Sequence, residues 1–160
     1  MNLQRLLNID LPLIQAPMAG VQLHGLAAAV SNAGALGSLP CAMLDAAGLR
    51  KELQALSEKT RKPYNLNFFC HTPPAVDSAR EATWREALSP YYTELGIDPT
   101  TIASGPGRLP FSAEMADLLD EFRPAVVSFH FGLPSAELLA RVKACGAKVL
   151  SSATTVEEAL

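Results

Sequence analysis

Charge is scarce in this sequence, and what there is does not gather. Only 18% of the 160 residues are Asp, Glu, Lys or Arg, and 13 basic against 16 acidic residues leave a net charge of −3. The basic residues form no stretch beyond the pair Arg61-Lys62. The electrostatic footprint of a protein that binds nucleic acid or an anionic membrane is therefore missing. No apolar run approaches the about 18 residues that would span a bilayer. The opening MNLQRLLNIDLPLIQ lacks the charged segment, long apolar core and A-x-A cleavage pattern of a secretory leader, so a cytoplasmic location is expected. Cysteine is sparse too: Cys41, Cys70 and Cys145 are odd in number, widely spaced and without a C-x-x-C pair. That excludes a disulfide framework and the usual zinc spacing, and leaves three small buried or half-buried side chains. The residues also lack a P-loop and a G-x-S-x-G elbow, so SGPGR at 104–108 reads as a plain loop.

What is present is apolar and periodic. The chain is 49% hydrophobic with a mean hydropathy of +0.15, enough for the core of one domain. So low a charged fraction fits strands covered on both faces, as parallel strands are. Short apolar runs alternate with helical ones. A first strand is expected over 11–18 (LPLIQAPM), followed by a helix over 24–34 with Gly34 just past its end. A second strand is expected over 35–40 and a helix over 43–60, where Leu44, Ala47, Leu49, Leu53 and Leu56 form a stripe near the 3.6-residue period. The third strand is 64–70 (YNLNFFC). Residues 77–110 are the least regular, with a helix around 78–88 and then a Gly/Pro-rich stretch. Ser112 opens the next helix, 125–131 (AVVSFHF) is the fourth strand, and Ser135 follows Pro134 into a helix closed by Gly146. A fifth strand covers 148–152, and Thr154 or Thr155 caps a final helix that the chain leaves unfinished.

SNAGALGSL and KACGAKVLSS both run from helix end through glycine into a strand. Repeated βα units of this kind imply a parallel sheet with helical crossovers. Two architectures fit, an open doubly wound sheet and a (β/α) barrel. About five units are visible, and a barrel needs eight.

In either architecture ligands sit at the carboxyl ends of the strands, so polar residues there are the candidates. The first strand ends in Gln15, Ala16, Pro17, Met18, Ala19 and Gly20, small enough for a planar ring to approach the backbone; the same residues also suit a plain βα turn. Asn65 and Asn67 lie two apart, hence on one face, and a carboxamide offers both donor and acceptor to a flavin or pyrimidine edge. Their other reading is satisfaction of backbone at the rim. Ser128 and His130 share one face of the fourth strand, with Val127, Phe129 and Phe131 on the other. His130 can donate to an oxyanion or move a proton, or serve as a hydrogen-bonded core histidine. Ser151 and Ser152 end the fifth strand among hydroxyls that line a pocket or cap the next helix. His24 opens a helix with no acidic partner nearby in sequence, and His71 precedes a proline turn and is expected to be exposed.

Four segments in order, LPLIQAPMAGV with AAAVSNAGALGSL, then KPYNLNFFCH, AVVSFHFGLP and KVLSSATTVEEA, resemble the N-terminal half of the nitronate monooxygenase (2-nitropropane dioxygenase) family. The resemblance covers nearly the whole chain. It implies an α/β fold in which residues 1–160 are the N-terminal part of an FMN-binding (β/α)8 barrel domain, cut before its second half and not closed here, with a smaller helical insertion. It implies oxidation of alkyl nitronates by O2 with FMN and without a metal. Carried over residue by residue, Ala16, Pro17, Met18 and Ala19 resemble the segment that backs the isoalloxazine, Asn67 matches an asparagine that contacts FMN, and His130 (catalytic) and Ser151 fall on the substrate side. The family's G-x-E-A-G-G-H segment with its catalytic histidine, and its phosphate-holding loops, have no counterpart among these residues, so the chain alone is expected to be inactive. A related FMN barrel that reduces enoyl groups with NAD(P)H, and a non-catalytic half-barrel that self-associates through open sheet edges, are the alternative readings.

Overall fold

The computed structural model describes residues 2–75, 77–102 and 108–160. They form two compact units: Met1–His71 with Arg108–Leu160, and Thr72–Gly107. The first unit runs α1 (Leu3–Leu7), α2 (His24–Asn32), β1 (Gly37–Pro40), α3 (Ala46–Lys59) and β2 (Tyr64–Phe69), and continues with α5 (Ala113–Phe122), β3 (Val126–His130), α6 (Ala136–Ala144), β4 (Lys148–Ser151) and α7 (Val156–Ala159). The second unit holds α4 (Ser78–Leu95) and a single 3-10 turn, Pro99–Thr101. No helix among the described residues is long and apolar enough to cross a membrane.

The four strands are parallel and lie in sequential order, β1-β2-β3-β4. A doubly wound sheet reverses its strand order at a switch point and covers both faces with helices. Here the order does not reverse, and Leu39, Leu66, Phe68, Val127 and Phe129 of one face pack against Leu49 and Leu53 of α3, Met115, Leu118 and Leu119 of α5 and Val142 of α6. Among the described residues the opposite face meets the short α1 and the turn after it, through Leu7, Ile9, Leu36 and Val126. Helices outside and one plug at the base are the arrangement of a partial (β/α) barrel, and the sheet is not closed.

Local chemistry explains the boundaries. In α3 the Asp45 side chain accepts from the Gly48 N–H at 2.7 Å, and Leu49, Leu53 and Leu56 are fully buried. The helix therefore begins at Ala46 rather than Met43, and the residues before it form a turn. Ser112 and Ser135 cap α5 and α6, while Gly34 and Gly146, with φ of +95° and +86°, end α2 and α6. Thr155, not Thr154, is the N-cap of α7: its Oγ1 accepts from the Glu158 N–H, and the Glu158 carboxylate accepts from the N–H and hydroxyl of Thr154. In the second unit α4 runs to Leu95, about two turns past the expected end near Leu88. Pro90 costs it one backbone donor without stopping it, and Gly96 closes it at φ +64°. Of the loop expected at 104–108, residues 104–107 lie outside the described residues.

The expected first strand is reduced to a single bridge, Ile14 with Leu36, so the sheet has four strands rather than five. The reason is visible at its edge. Beyond Leu36 the next backbone groups facing outward belong to Ser38, and side chains take them. Gln15 Oε1 accepts from the Ser38 N–H at 3.1 Å, and Gln22 Nε2 donates to the Ser38 carbonyl at 2.8 Å. Gln15 Nε2 also donates to Gln22 Oε1 at 2.6 Å. Two carboxamides stand in for a strand and leave residues 16–20 free of the ladder.

Helix α2 lies very close to β1. A Cβ placed on Gly37 would fall 1.9 Å from the Ala27 carbonyl oxygen, and the Gly37 N–H donates to Ser31 Oγ at 3.2 Å. At the other end of α2, His24 is tied to α3. The Glu52 carboxylate, 8% exposed, accepts from the His24 N–H at 3.1 Å and meets its Nδ1 at 2.6 Å. Burial alone would raise the Glu52 carboxyl, but the imidazole and amide of His24 outweigh it and hold it below the usual carboxylate range.

Two predictions follow from these contacts. Gly37→Ala forces backbone apart and is expected to cost about 3 kcal/mol, whereas Gly25→Ala, with open space around its Cβ, is expected to gain about 0.5 kcal/mol. Urea midpoints of the two variants check this, and similar midpoints would rule out the close approach. Because the Glu52 carboxyl is depressed in the folded state, its contribution is present above the unfolded value of about 4.3 and fades as pH falls below it. Glu52→Gln should therefore lower stability at neutral pH and flatten the acid limb of a stability–pH curve; an unchanged acid limb would show that the pair carries nothing.

Candidate active site at the strand ends

The inner face of the sheet changes character along the strands. At its base, under α1, it is apolar, with Leu36, Val126 and Leu150. One layer up it becomes polar. Ser38 and Asn65 are paired in register, as are Asn67 and Ser128. Asn65 Nδ2 donates to Ser38 Oγ at 3.1 Å and to Ser128 Oγ at 2.9 Å, and Asn67 Nδ2 donates to the same Ser128 Oγ at 2.9 Å. One hydroxyl thus receives both carboxamides, and the amide oxygens are left over. Asn65, 2% exposed, has its Oδ1 buried with no hydrogen-bond partner among the described residues. Such an atom costs about 1–3 kcal/mol unless something meets it.

The carboxyl ends of β2 and β3 carry rings. Phe69 and His130 are in register, with centroids 5.8 Å apart. The expectation that Phe131 turns to the Val127 and Phe129 face is corrected here. Phe131 adopts φ +65°, leaves the strand path and lays its ring beside His130 at 4.0 Å and Phe69 at 5.0 Å. A bulky side chain in the left-handed region is uncommon and strained. Phe131 is also 55% exposed, so burial does not account for its position. His71, expected to be exposed, is half-buried at the edge of this cluster, 6.3 Å from Phe69 between centroids, and its Nδ1 is buried without a partner among the described residues. The Arg108 guanidinium lies 5.8 Å from the Phe69 ring centroid, which brings positive charge to the cluster.

Residues 16–20 border the same end of the sheet. Ala16, Met18 and Gly20 are exposed and Pro17 and Ala19 half-buried. Among the described residues no hydrogen bond engages the N–H groups of Ala16, Met18, Ala19 or Gly20. The segment's position is set from both sides, by the Gln15 and Gln22 amides and by the His24–Glu52 pair. Gly20 comes near the Met43 thioether of the loop after β1, so these two loops adjoin.

At the end of β4, Ser151 is in register with Phe129, and its Oγ donates to the Ser152 carbonyl at 3.4 Å. The hydroxyl that meets His130 is that of Ser152, 2.5 Å from Nδ1. Side-chain alternation makes the partner of His130 the residue after the one paired with Phe129, and the β3–β4 register makes that residue Ser152. The cysteines take no part. Cys41 is buried, and burial pushes the half-buried Cys70 and Cys145 thiols up to about 11, so all three stay protonated at neutral pH.

The geometry has counterparts among known proteins. Residues 1–160 match the family model described as nitronate monooxygenase. The nitronate monooxygenase of Paraburkholderia phytofirmans is 47% identical over 156 residues, which is 96% of this chain and 42% of that protein. That of Pseudomonas aeruginosa is 44% identical over 163 residues, 97% of this chain and 44% of its own length. Among solved structures, nitroalkane oxidase from Streptomyces ansochromogenes superposes with a TM-score of 0.82 at 34% identity, over 97% of this chain and 44% of that one. FabK from Thermotoga maritima gives a TM-score of 0.67 at 24% identity, a likeness of fold alone. The chain thus spans less than half the length of the relatives it matches. Over that span the match is continuous, and the chain belongs to the nitronate monooxygenase family.

Proposed function

We propose that the complete polypeptide containing this chain is a cytoplasmic enzyme that oxidises alkyl nitronates with O2 using FMN, and that residues 1–160, as the N-terminal part of its barrel domain, supply one wall of the flavin site. The observation that carries this reading is the belt of carboxamides and hydroxyls on the inner face, Ser38, Asn65, Asn67 and Ser128, beside a segment at 16–20 whose N–H groups are unengaged among the described residues. A planar heterocycle whose edge alternates donors and acceptors fits that set, and small residues at Ala16 and Ala19 leave room for its face. FMN, when bound, supplies the chemistry that accepts electrons from the substrate and returns them to O2.

The chain's own residues then have distinct tasks. Ser128 orients the Asn65 and Asn67 carboxamides, and the Asn67 oxygen accepts from the ring edge. Ala16, Pro17, Met18 and Ala19 back the ring and exclude water from one side. His130 offers a donor to the anionic oxygen of the nitronate, in a cluster already made electropositive by Arg108. Ser151 stands on the substrate side of the strand ends. The phosphate-holding loops and the histidine base of the family lie outside these residues, so the 160-residue chain alone is expected to turn over no nitronate.

The test is purification of the complete polypeptide with its flavin. Bound FMN and O2 uptake with propane-2-nitronate are the expected results; a colourless protein, or a flavin rapidly bleached by NAD(P)H with no nitronate-dependent O2 uptake, would overturn the reading. Asn67→Ala is expected to weaken FMN binding by roughly fivefold to tenfold, one hydrogen bond's worth. Ser128→Ala leaves two amides short of an acceptor and should also lower stability by about 1–3 kcal/mol. Flavin fluorescence titration and thermal melts read the two effects separately.

A further inference from the structure

The end of β4 carries a hydroxyl whose geometry is too specific for a solvated serine. Ser152 follows Ser151, which is in register with Phe129, so Ser152 falls beside His130 on the neighbouring parallel strand. Its N–H donates to the Phe129 carbonyl at 3.3 Å, and its Oγ sits 2.5 Å from His130 Nδ1. On the other side the Phe131 ring lies 4.0 Å from the imidazole, and Phe69 lies 5.8 Å away, both between centroids. Among the described residues the His130 Nε2 has no hydrogen-bond partner, and the residue is exposed.

We infer that Ser152 and Phe131 are positioning residues for His130: the Ser152 hydroxyl donates to Nδ1 and so fixes the tautomer with its proton on Nε2, while Phe131 holds the ring plane so that Nε2–H points out of the strand end. Three observations support this. Ser152 Oγ and His130 Nδ1 are 2.5 Å apart, so one of the two donates to the other. The in-plane lone pair of an imidazole nitrogen is a better acceptor than a hydroxyl oxygen, so the proton of this pair belongs on oxygen. The strain at Phe131 supplies the third: a residue at φ +65° with its ring exposed is held there by its contacts with the rings of His130, Phe69 and His71. A histidine tautomer is set by what its other nitrogen meets. A donor at Nε2 is what an anionic nitronate oxygen requires, and to that extent the inference rests on the proposed function.

The tautomer can be read without any substrate. Long-range 1H–15N NMR of the 160-residue chain, well above the ordinary imidazole value of about 6.5, distinguishes protonated from unprotonated ring nitrogens. His130 should appear with Nε2 protonated in the native chain and in Ser152→Thr, and as a mixed or Nδ1-protonated ring in Ser152→Ala. His24, bound to Glu52 far from the change, is the internal control for an intact fold. In Phe131→Gly, which suits the left-handed backbone, thermal stability should hold or rise while His130 loses its single ring environment. A native His130 with Nδ1 protonated, or a tautomer unmoved by Ser152→Ala, overturns the inference. In the complete polypeptide, Ser152→Ala should raise KM for propane-2-nitronate roughly tenfold, about one hydrogen bond, with rescue by Ser152→Thr. The expected NMR result together with no nitronate turnover in the native protein would leave Ser152 positioning His130 and would instead sink the nitronate reading.

Discussion

One serine hydroxyl joins the two central strands on the face where the chemistry lies. Ser128 Oγ accepts from both Asn65 and Asn67, and the carboxamides it holds are buried. Burying an amide without a partner costs about 2–7 kcal/mol against a reference that cannot hydrogen-bond. The pairing of β2 with β3 is therefore specified more sharply than by apolar packing alone. Slipping β2 by one residue would set Asn65 and Asn67 among the apolar side chains of the outer core and turn Phe68 inward. With the register set, Phe69 meets His130, and the ring cluster at the strand ends follows from it.

The two faces of the sheet obey different rules. The outer face is closed by Leu, Val, Phe and Met side chains against α3, α5 and α6 and by α2 over β1, and apolar side chains of similar total volume would be tolerated there. The inner face is graded from a leucine and valine base under α1, through a belt of hydroxyls and carboxamides, to imidazole and aromatic rings at the top. This gradient places polar groups where strands end and helices begin, the end at which parallel α/β folds bind their ligands. The substitution of Gln15 and Gln22 for a ladder belongs to the same design. By satisfying Ser38 with side chains, the chain frees the backbone of residues 16–20 from pairing and keeps its N–H groups available.

The parts of this fold legible in the sequence are those written in local periodicity. The alternation in YNLNFF and VVSFH identified both the core face and the polar face, and serines and glycines marked the helix ends at Ser112, Ser135, Gly34 and Gly146. What was not legible depends on partners far along the chain. Nothing near His24 announces Glu52, 28 residues on. The first run, apolar enough for a strand, is interrupted by hydrogen bonds from glutamines to a serine 23 and 16 residues away. Counting outward from the strand centre put Phe131 on the wrong face, because alternation assumes extended backbone and Phe131 is left-handed. Ser151 and Ser152 are indistinguishable in composition; only the register with Phe129 tells which of them meets His130.

Phe131 also bears on how the strand ends divide stability from chemistry. Among the described residues the other non-glycine residues at positive φ, Asn8 and Arg123, cap helices, where a left-handed residue satisfies helical carbonyls. Phe131 caps nothing, and its ring is more than half exposed, so neither hydrogen bonding nor burial offsets the conformational cost of about 1–3 kcal/mol. What it gains is edge-to-face contact with Phe69 and close contact with His130, interactions of about 0.5–1.5 kcal/mol per aromatic pair. These terms nearly balance, which is the condition for a group held in place without being locked. Glycine at this position would suit the backbone better, and a leucine would suit the core. A phenylalanine there makes sense where the ring itself is used, as a wall that keeps one imidazole edge toward Ser152 and the other toward the open end of the sheet.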